Sequence, residues 1–100
     1  MKRLTVTEAQ QLQKTLEDHW SLRSDRIIAS FKFPSFELAM QFMALATPVI
    51  SDLNHHPEWT NSYNTIDITL STHDVKGLSE LDFELARQLS PIYKSLISND

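Results

Sequence analysis

The chain of 100 residues contains no cysteine and only one glycine, Gly77. Without cysteine it can form no disulfide, no thiolate metal site and no cysteine nucleophile. With one glycine it cannot form the glycine-rich phosphate loops GxGxxG, GxxxxGKS or GxxxxGKT. It also lacks an apolar run near the ~20 residues that a transmembrane helix needs. The basic start at 1–5 leads into a polar, Gln-rich segment without the apolar stretch of a signal peptide. We therefore expect a cytoplasmic protein with no membrane partner.

Positive charge is also scarce in this chain. Lys and Arg together number 9 against 13 Asp and Glu, which gives a formal net charge of −4. A protein that binds nucleic acid by neutralising phosphates needs the opposite balance, so we expect no nucleic-acid partner. Hydrophobic residues make up 41% of the chain. This share predicts one compact domain over residues 1–100, whose small size favours self-association.

Three segments carry apolar residues with a 3.6-residue period, which predicts three helices. Capping residues mark the start of each one. Pro48 lies inside the second pattern and is expected to kink or divide its helix, and Pro91 lies inside the third and is expected to bend the last turns of its helix. The predicted helices run from Thr7, with Gln10 as its capping-box partner, to about Asp18; from Ser35 to about Leu53; and from Ser79, with Asp82 as its capping-box partner, to about Leu96.

Alternating apolar and polar residues predict two hairpins. The resulting order α-β-β-α-β-β-α indicates an α+β fold, a four-stranded antiparallel sheet covered on one face by helices. The other face and the exposed edge strands would then favour association between copies of the chain. The predicted strands are Trp20 to Leu22 and Ile27 to Phe33, around a turn at Ser24-Asp25, and Glu58 to Tyr63 and Ile66 to Ser71, around a turn at Asn64-Thr65.

Three of the four histidines flank the second predicted hairpin. His55 and His56 precede it and His73 follows it. Because antiparallel pairing brings the ends of a hairpin together, we expect these imidazoles at one end of the sheet. Imidazole titrates near pH 6.5, so a pair of them is a candidate general acid and base. A zinc site is the alternative, although no His pair at i, i+4 or acidic residue shows a recognisable ligand spacing.

Several other residues have two interpretations. Asp82 either completes the cap of the third helix or holds a site histidine in its productive tautomer. The isolated His19 is expected to cap a helix end or to pack rather than to take part in chemistry. Four aromatic residues on predicted strands belong either to the core or to a stacking surface for a flat ring: Phe31, Phe33, Trp59 and Tyr63.

The second half of the chain closely resembles the pterin-4a-carbinolamine dehydratase family. The family pattern is His-His-Pro, five or six residues, an aromatic residue, nine residues, His, and then Asp eight or more residues later. Here five residues separate Pro57 from Tyr63, nine separate Tyr63 from His73, and eight separate His73 from Asp82. Further similarity covers Trp20 and the run Phe31-Lys32-Phe33-Pro34-Ser35-Phe36 with Ala39, Phe42 and Met43. The family fold has the same α-β-β-α-β-β-α order.

One position departs from the family pattern. The family often has an acidic residue four positions before the first histidine, and here that position is Ser51, with Asp52 one place later. One residue on a helix is about 100° of rotation. Asp52 therefore replaces that carboxylate only with a local shift of the helix, which the kink expected at Pro48 would supply.

The resemblance implies an enzyme, a hydro-lyase that removes water from a 4a-hydroxytetrahydropterin in tetrahydropterin recycling. It needs no cofactor and no metal. The substrate would come from an aromatic amino-acid hydroxylase, and the enzyme would be a homodimer or homotetramer. The alternative implied by animal members of the family is a non-catalytic dimerisation cofactor of a transcription factor, and a metal-dependent hydrolase is a third, weaker interpretation.

The resemblance also assigns roles to individual residues. His55 and His73 would form the acid–base pair, and His56 would position the pterin or act as a second proton donor. Pro57 would fix the backbone after the histidines. The remaining expected residues are Trp59, Thr72 and Asp74 as substrate contacts and Asp82 and Asp52 as supporting residues.

Overall fold

The computed structural model describes residues 1–98, and within them the elements alternate as the sequence predicts. A short 3-10 turn, His73–Val75, follows the last strand. The order confirms the predicted α-β-β-α-β-β-α arrangement. The elements are α1 (Val6–Gln13), β1 (Trp20–Leu22), β2 (Ile27–Lys32), α2 (Phe36–Leu53), β3 (Glu58–Ser62), β4 (Thr65–Leu70) and α3 (Glu80–Ile97).

The four strands form one antiparallel sheet in the order β1-β2-β4-β3. The two hairpins are joined through β2 and β4, where Ala29 lies opposite Ile68. In the second hairpin Glu58 lies opposite Thr69. The segment before β3 and the segment after β4 therefore meet at the same end of the sheet, where the sequence places three histidines.

The helices cover one face of this sheet. Side chains at alternate positions of β2 and β4 point into the core because the side chains of a strand alternate between its two faces. The fully buried apolar residues of this layer are Ile27, Phe31, Ile66, Ile68 and Leu70 from the sheet, Ala39, Phe42 and Ala46 from α2, and Phe83, Leu85, Ala86 and Leu89 from α3. The predicted α+β architecture is confirmed.

The uncovered face of the sheet is polar. The outward positions alternate with the core positions, and Ile28 is an apolar residue among them, half-buried. Association of two copies through this polar face would bury little apolar surface, so the structure does not favour it. Its polar members include Ser21, Ser30, Glu58, Thr60, Ser62, Asp67 and Thr69.

The first helix begins earlier and ends earlier than predicted. Oγ1 of Thr5 accepts a hydrogen bond from the backbone N–H of Glu8 at 3.1 Å, and the Glu8 carboxylate accepts one from the N–H of Thr5 at 2.8 Å. This reciprocal pair is a capping box, so Thr5 is the cap and the predicted Thr7–Gln10 cap is wrong. A carboxylate accepts more strongly than an amide at a helix N-terminus. The helix ends at Gln13 rather than Asp18, and successive turns follow it.

Neither internal proline divides its helix. Pro48 lies within α2 and Pro91 within α3, and each helix is continuous over 18 residues. Proline has no backbone N–H, so the carbonyl of Ala44, four residues before Pro48, receives no hydrogen bond from it. Pro48 and Ala44 are both exposed. Water can therefore satisfy that carbonyl, which lowers the cost of the missing bond. Within residues 1–98 no helix is long and apolar enough to cross a membrane.

Candidate active site

A buried carboxylate and an imidazole form the centre of the candidate site. Asp82, at the third position of α3, is 0% exposed, and its Oδ1 lies 2.6 Å from Nε2 of His55. His55 itself is only 8% exposed. A buried carboxylate must have hydrogen-bond partners to offset its loss of hydration. The Asp82–His55 pair, as these two side chains are called below, is therefore a fixed element of the structure.

The second oxygen of Asp82 has two further partners. Oδ2 accepts the backbone N–H of Ser79 at 3.0 Å and the hydroxyl of Thr72 at 2.8 Å. The bond from Ser79 is half of the capping box of α3. The same carboxylate therefore caps α3, as one interpretation of the sequence predicts, and also contacts the imidazole of His55.

The end of α2 turns His55 towards this carboxylate. Asn54 ends the helix in the left-handed conformation, with φ of 50°, which asparagine tolerates better than most residues. The backbone N–H of His55 then bonds to the carbonyl of Ile50 at 3.3 Å. Because the chain leaves the helix in this direction, His55 is buried while His56, the next residue, is exposed.

One ring nitrogen of His55 stays accessible. Nε2 contacts Asp82, but no residue in the described part of the chain bonds to Nδ1. Among residues 1–98 no buried side-chain nitrogen or oxygen lacks a partner. Nδ1 therefore keeps some exposure to solvent.

His73 and Asp74 lie in the 3-10 turn after β4, and both are exposed. The base of this turn is fixed where the N–H of Thr72 bonds to the carbonyl of Gly77 at 2.7 Å. A Cβ at position 77 would lie 2.8 Å from Nε of Arg3, the far end of an exposed, flexible side chain that can move aside. Thr72 is 4% exposed and its backbone N–H and hydroxyl both have partners inside the chain.

The other predicted contacts surround the same end of the sheet. Pro57 and Trp59 are half-buried, and the Trp59 ring packs edge to face on Phe42 with centroids 6.4 Å apart. Asp52 lies on the last turn of α2 and is exposed, as is Ser51. Because α2 is continuous through Pro48, the helix is not divided before these residues.

Two predicted candidates lie elsewhere. Tyr63 follows β3, in the turn at the opposite end from His55, is 70% exposed, and stacks on Phe36. Nε2 of His19 lies 2.9 Å from Oγ of Ser90, and its ring contacts the aromatic side chains around Phe31. His19 therefore packs, as expected, while Phe31 and Phe33 belong to the core.

Sequence reasoning missed the role of the hydroxyl groups. Oγ of Ser79 lies 2.7 Å from Oγ1 of Thr72, and both residues are buried. The signal was present, because Ser79 and Asp82 form a recognisable capping box. A capping box indicates where a helix begins, but it does not predict that Thr72, from outside the helix, contacts Ser79. Among residues 1–98 no three or more His, Asp or Glu side chains form a cluster that could hold a metal ion.

Comparison with known proteins identifies a family and several relatives. The family model described as "Pterin 4 alpha carbinolamine dehydratase" matches residues 2–92. A curated relative from Brucella ovis, named "Putative pterin-4-alpha-carbinolamine dehydratase", is 44% identical over 92 residues, which is 90% of this chain and 94% of that protein. A relative from Brucella canis has the same name and the same figures.

Two solved structures are similar to this chain. One, described as a transcriptional coactivator/pterin dehydratase from Brucella melitensis, has a TM-score of 0.87 and 41% identity over 92% of this chain and 99% of that chain. The other is described as a pterin dehydratase-like protein that is a RuBisCO assembly factor in the alpha-carboxysome. Its TM-score is 0.62 with 16% identity over 74% of this chain and 86% of that chain, so it supports the fold alone.

Proposed function

The chain belongs to the pterin 4 alpha carbinolamine dehydratase family, and from that premise we propose that it eliminates water from a 4a-hydroxytetrahydropterin. The observation that carries this proposal is the Asp82–His55 pair, in which a buried carboxylate orients an imidazole whose other nitrogen is accessible. This is the arrangement of an oriented general base. The product would be the quinonoid dihydropterin.

The reaction requires two proton transfers and no change in oxidation state. The N5 lone pair of the pterin forms a double bond to C4a while the C4a–O bond breaks. A general acid gives the leaving hydroxyl a proton, so that it departs as water. A general base takes the proton from N5. Each positioned acid or base typically contributes about 10²–10⁴-fold to the rate.

His55 fits the role of the base. A hydrogen bond from Nε2–H to Asp82 leaves the lone pair on Nδ1 to accept the N5 proton, and the carboxylate then stabilises the imidazolium. His73 is exposed in the turn beside Thr72, which itself bonds to Asp82. We assign His73 as the acid that protonates the leaving hydroxyl.

The remaining residues would hold the pterin ring. His56 is exposed next to His55, and Pro57 and Trp59 continue along the same segment. Asp74 follows His73 and is exposed, and Asp52 would support the site from α2. The role of the protein in tetrahydropterin recycling after an aromatic amino-acid hydroxylase, and its cytoplasmic location, belong to the same proposal.

The direct test is the decay of a chemically generated 4a-hydroxytetrahydropterin, followed by absorbance with and without the purified protein. We expect acceleration in proportion to protein concentration, unchanged by a metal chelator. Loss of activity to the chelator together with one zinc per chain would favour the metal-dependent hydrolase interpretation instead.

Two variants test the acid–base assignment. His55→Ala and His73→Ala should each lower kcat about 10²-fold or more, and the double variant should approach the uncatalysed rate. His19→Gln is the matched control, because His19 lies away from the site against Ser90, and it should keep kcat when corrected for folded protein. Turnover near that of the unmodified protein in the double variant would refute the assignment.

A binding module without catalysis is the second candidate function. It is favoured by α2, which leaves Leu45 45% exposed beside the exposed Ala44, as an interaction surface would. A folded, unmodified protein that gives no rate acceleration in the decay assay would support this candidate and refute the dehydratase.

A further inference from the structure

We propose that Ser79 and Thr72 are positioning residues that keep Asp82 ionised and fix His55 in the tautomer with its proton on Nε2. The consequence for catalysis rests on the proposed function. The tautomer itself does not, because it follows from the buried hydrogen bonds alone. Neither hydroxyl group needs to touch the substrate for this effect.

The two hydroxyls and the carboxylate form a continuous chain. Oγ of Ser79 lies 2.7 Å from Oγ1 of Thr72, which in turn lies 2.8 Å from Oδ2 of Asp82. Oγ of Ser79 also accepts the backbone N–H of Leu81 at 3.3 Å. Ser79 and Asp82 are 0% exposed and Thr72 is 4% exposed, so water does not replace any of these partners.

Only one direction of donation along these hydrogen bonds gives every hydroxyl hydrogen an acceptor. Each hydroxyl has one hydrogen to donate. If Ser79 donates to Thr72, then Thr72 donates to Asp82, and both hydrogens have acceptors. In the reverse direction a protonated Asp82 donates to Thr72 and Thr72 donates to Ser79. The hydrogen of Ser79 would then have no acceptor among the described residues, which is costly for a buried donor.

The favoured direction determines the state of Asp82. Its Oδ2 receives the N–H of Ser79 and the O–H of Thr72, so three donors surround the carboxylate when His55 donates to Oδ1. All three bonds are charge-assisted only if Asp82 is ionised. The proton of the Asp82–His55 pair therefore resides on Nε2 of His55.

This tautomer decides which atom of His55 can react. With Nε2 protonated, the only lone pair of the ring is on Nδ1, the accessible nitrogen. The base of the proposed reaction is thus set before the substrate binds. In the opposite tautomer Nδ1 would carry a proton and could not accept one from N5.

Nitrogen-15 NMR of the imidazole rings, with the unmodified protein at neutral pH, tests the tautomer directly. We expect Nδ1 of His55 to resonate as an unprotonated nitrogen and Nε2 as a protonated one, in a single form. A protonated Nδ1 with an unprotonated Nε2 would overturn the inference, whether or not the protein is active. This measurement needs no variant and so does not depend on how a variant folds.

Thr72→Val removes the hydroxyl and keeps the shape of the side chain. We expect a measurable fraction of the Nδ1–H tautomer of His55 and about a tenfold lower kcat, the scale of one hydrogen bond to a charged group, with little change in KM. Thr72→Ser should restore both. The matched control is Thr69→Val, because Thr69 is half-buried on the outer face of β4.

The outcomes separate this inference from the proposed function. If the tautomer is as expected and Thr72→Val alters it while no dehydratase activity exists, the positioning role stands and the dehydratase proposal falls. If Thr72→Val leaves His55 wholly in the Nε2–H form, Thr72 does not fix the tautomer and the inference is refuted.

Discussion

The two adjacent histidines differ in exposure, and this difference predicts different kinetic effects. His55 is 8% exposed and contacts Asp82, whereas the adjacent His56 is exposed. We expect His56→Ala to act through substrate affinity, with KM raised about tenfold, the scale of one lost contact to a polar ligand, and kcat changed much less. Steady-state kinetics would contradict this if kcat fell strongly while KM stayed the same.

The ionisation of His19 should affect the stability of the folded protein. Burial lowers the pKa of His19 below its usual 6.5 and Lys94 contributes in the same direction, while Glu17 and Asp18 oppose the shift. The Trp20 indole N–H donates to Oγ of Ser90, which leaves the Ser90 hydrogen free to bond to a neutral His19. The folded protein thus favours uncharged His19.

The sign of the pH effect follows from this lowered pKa. Below the unfolded value near 6.5 the unfolded chain binds a proton at His19 that the folded protein resists, so stability falls as pH falls. We expect the unmodified protein to lose more unfolding free energy between about pH 7.5 and about pH 5 than His19→Gln, which does not titrate. Urea denaturation at both pH values measures this, and equal losses would contradict it.

At the scale of elements, the capping box of α1 gives a paired test. Thr5→Ala removes the hydroxyl that accepts the N–H of Glu8 and should lower the free energy of unfolding by about 1 kcal/mol. Thr7→Ala is the control, because Thr7 is exposed inside the helix, where alanine is the better helix former. Chemical denaturation should therefore show a loss only for Thr5→Ala. A loss for Thr7→Ala with none for Thr5→Ala would place the cap at Thr7 instead.

The strands β2 and β4 and the longer helices were predictable because their apolar periods run along most of their length. Ile66, Ile68 and Leu70 alternate strictly and are all buried. The start of α1 could not be predicted in the same way, because Thr5 and Thr7 are both possible capping residues with a partner three positions later. Pro48 shows another limit, since a proline's effect depends on whether the freed carbonyl faces water, which is set by tertiary structure.

In the candidate site, too, some features follow from the sequence and others depend on tertiary packing. The convergence of the segments around His55 and Thr72 follows from hairpin pairing, and hence from the sequence. The contact between His55 and Asp82 depends on how the end of α2 meets the start of α3. No local pattern specifies this packing between elements distant in the chain. The sequence therefore predicts which residues approach, while the structure determines which atoms bond.

At the scale of the whole molecule, the surface favours one mode of association. The uncovered sheet face is polar, so it offers little apolar area to bury. α2 instead exposes Leu45 at 45% next to Ala44 and near Pro48, which are also exposed. Apolar surface on a small domain is a usual site of association. We therefore predict a homodimer or homotetramer whose contacts include this face of α2.

Substitution by glutamate at two leucines separates assembly from folding. Leu89 is 0% exposed in α3, so Leu89→Glu buries an unpaired charge and should unfold the chain, at a cost of several kcal/mol or more, on the order given for buried charges. Leu45→Glu should leave the circular dichroism spectrum unchanged and yield a monomer of 11.5 kDa by light scattering at low micromolar concentration. Val6→Glu is the control, because it places a charge at an apolar residue of α1 that is 68% exposed. This variant should have the same oligomeric state as the unmodified protein. An unmodified protein that is already a monomer would refute the oligomer, and a Leu45→Glu variant that stays assembled would move the contact away from α2.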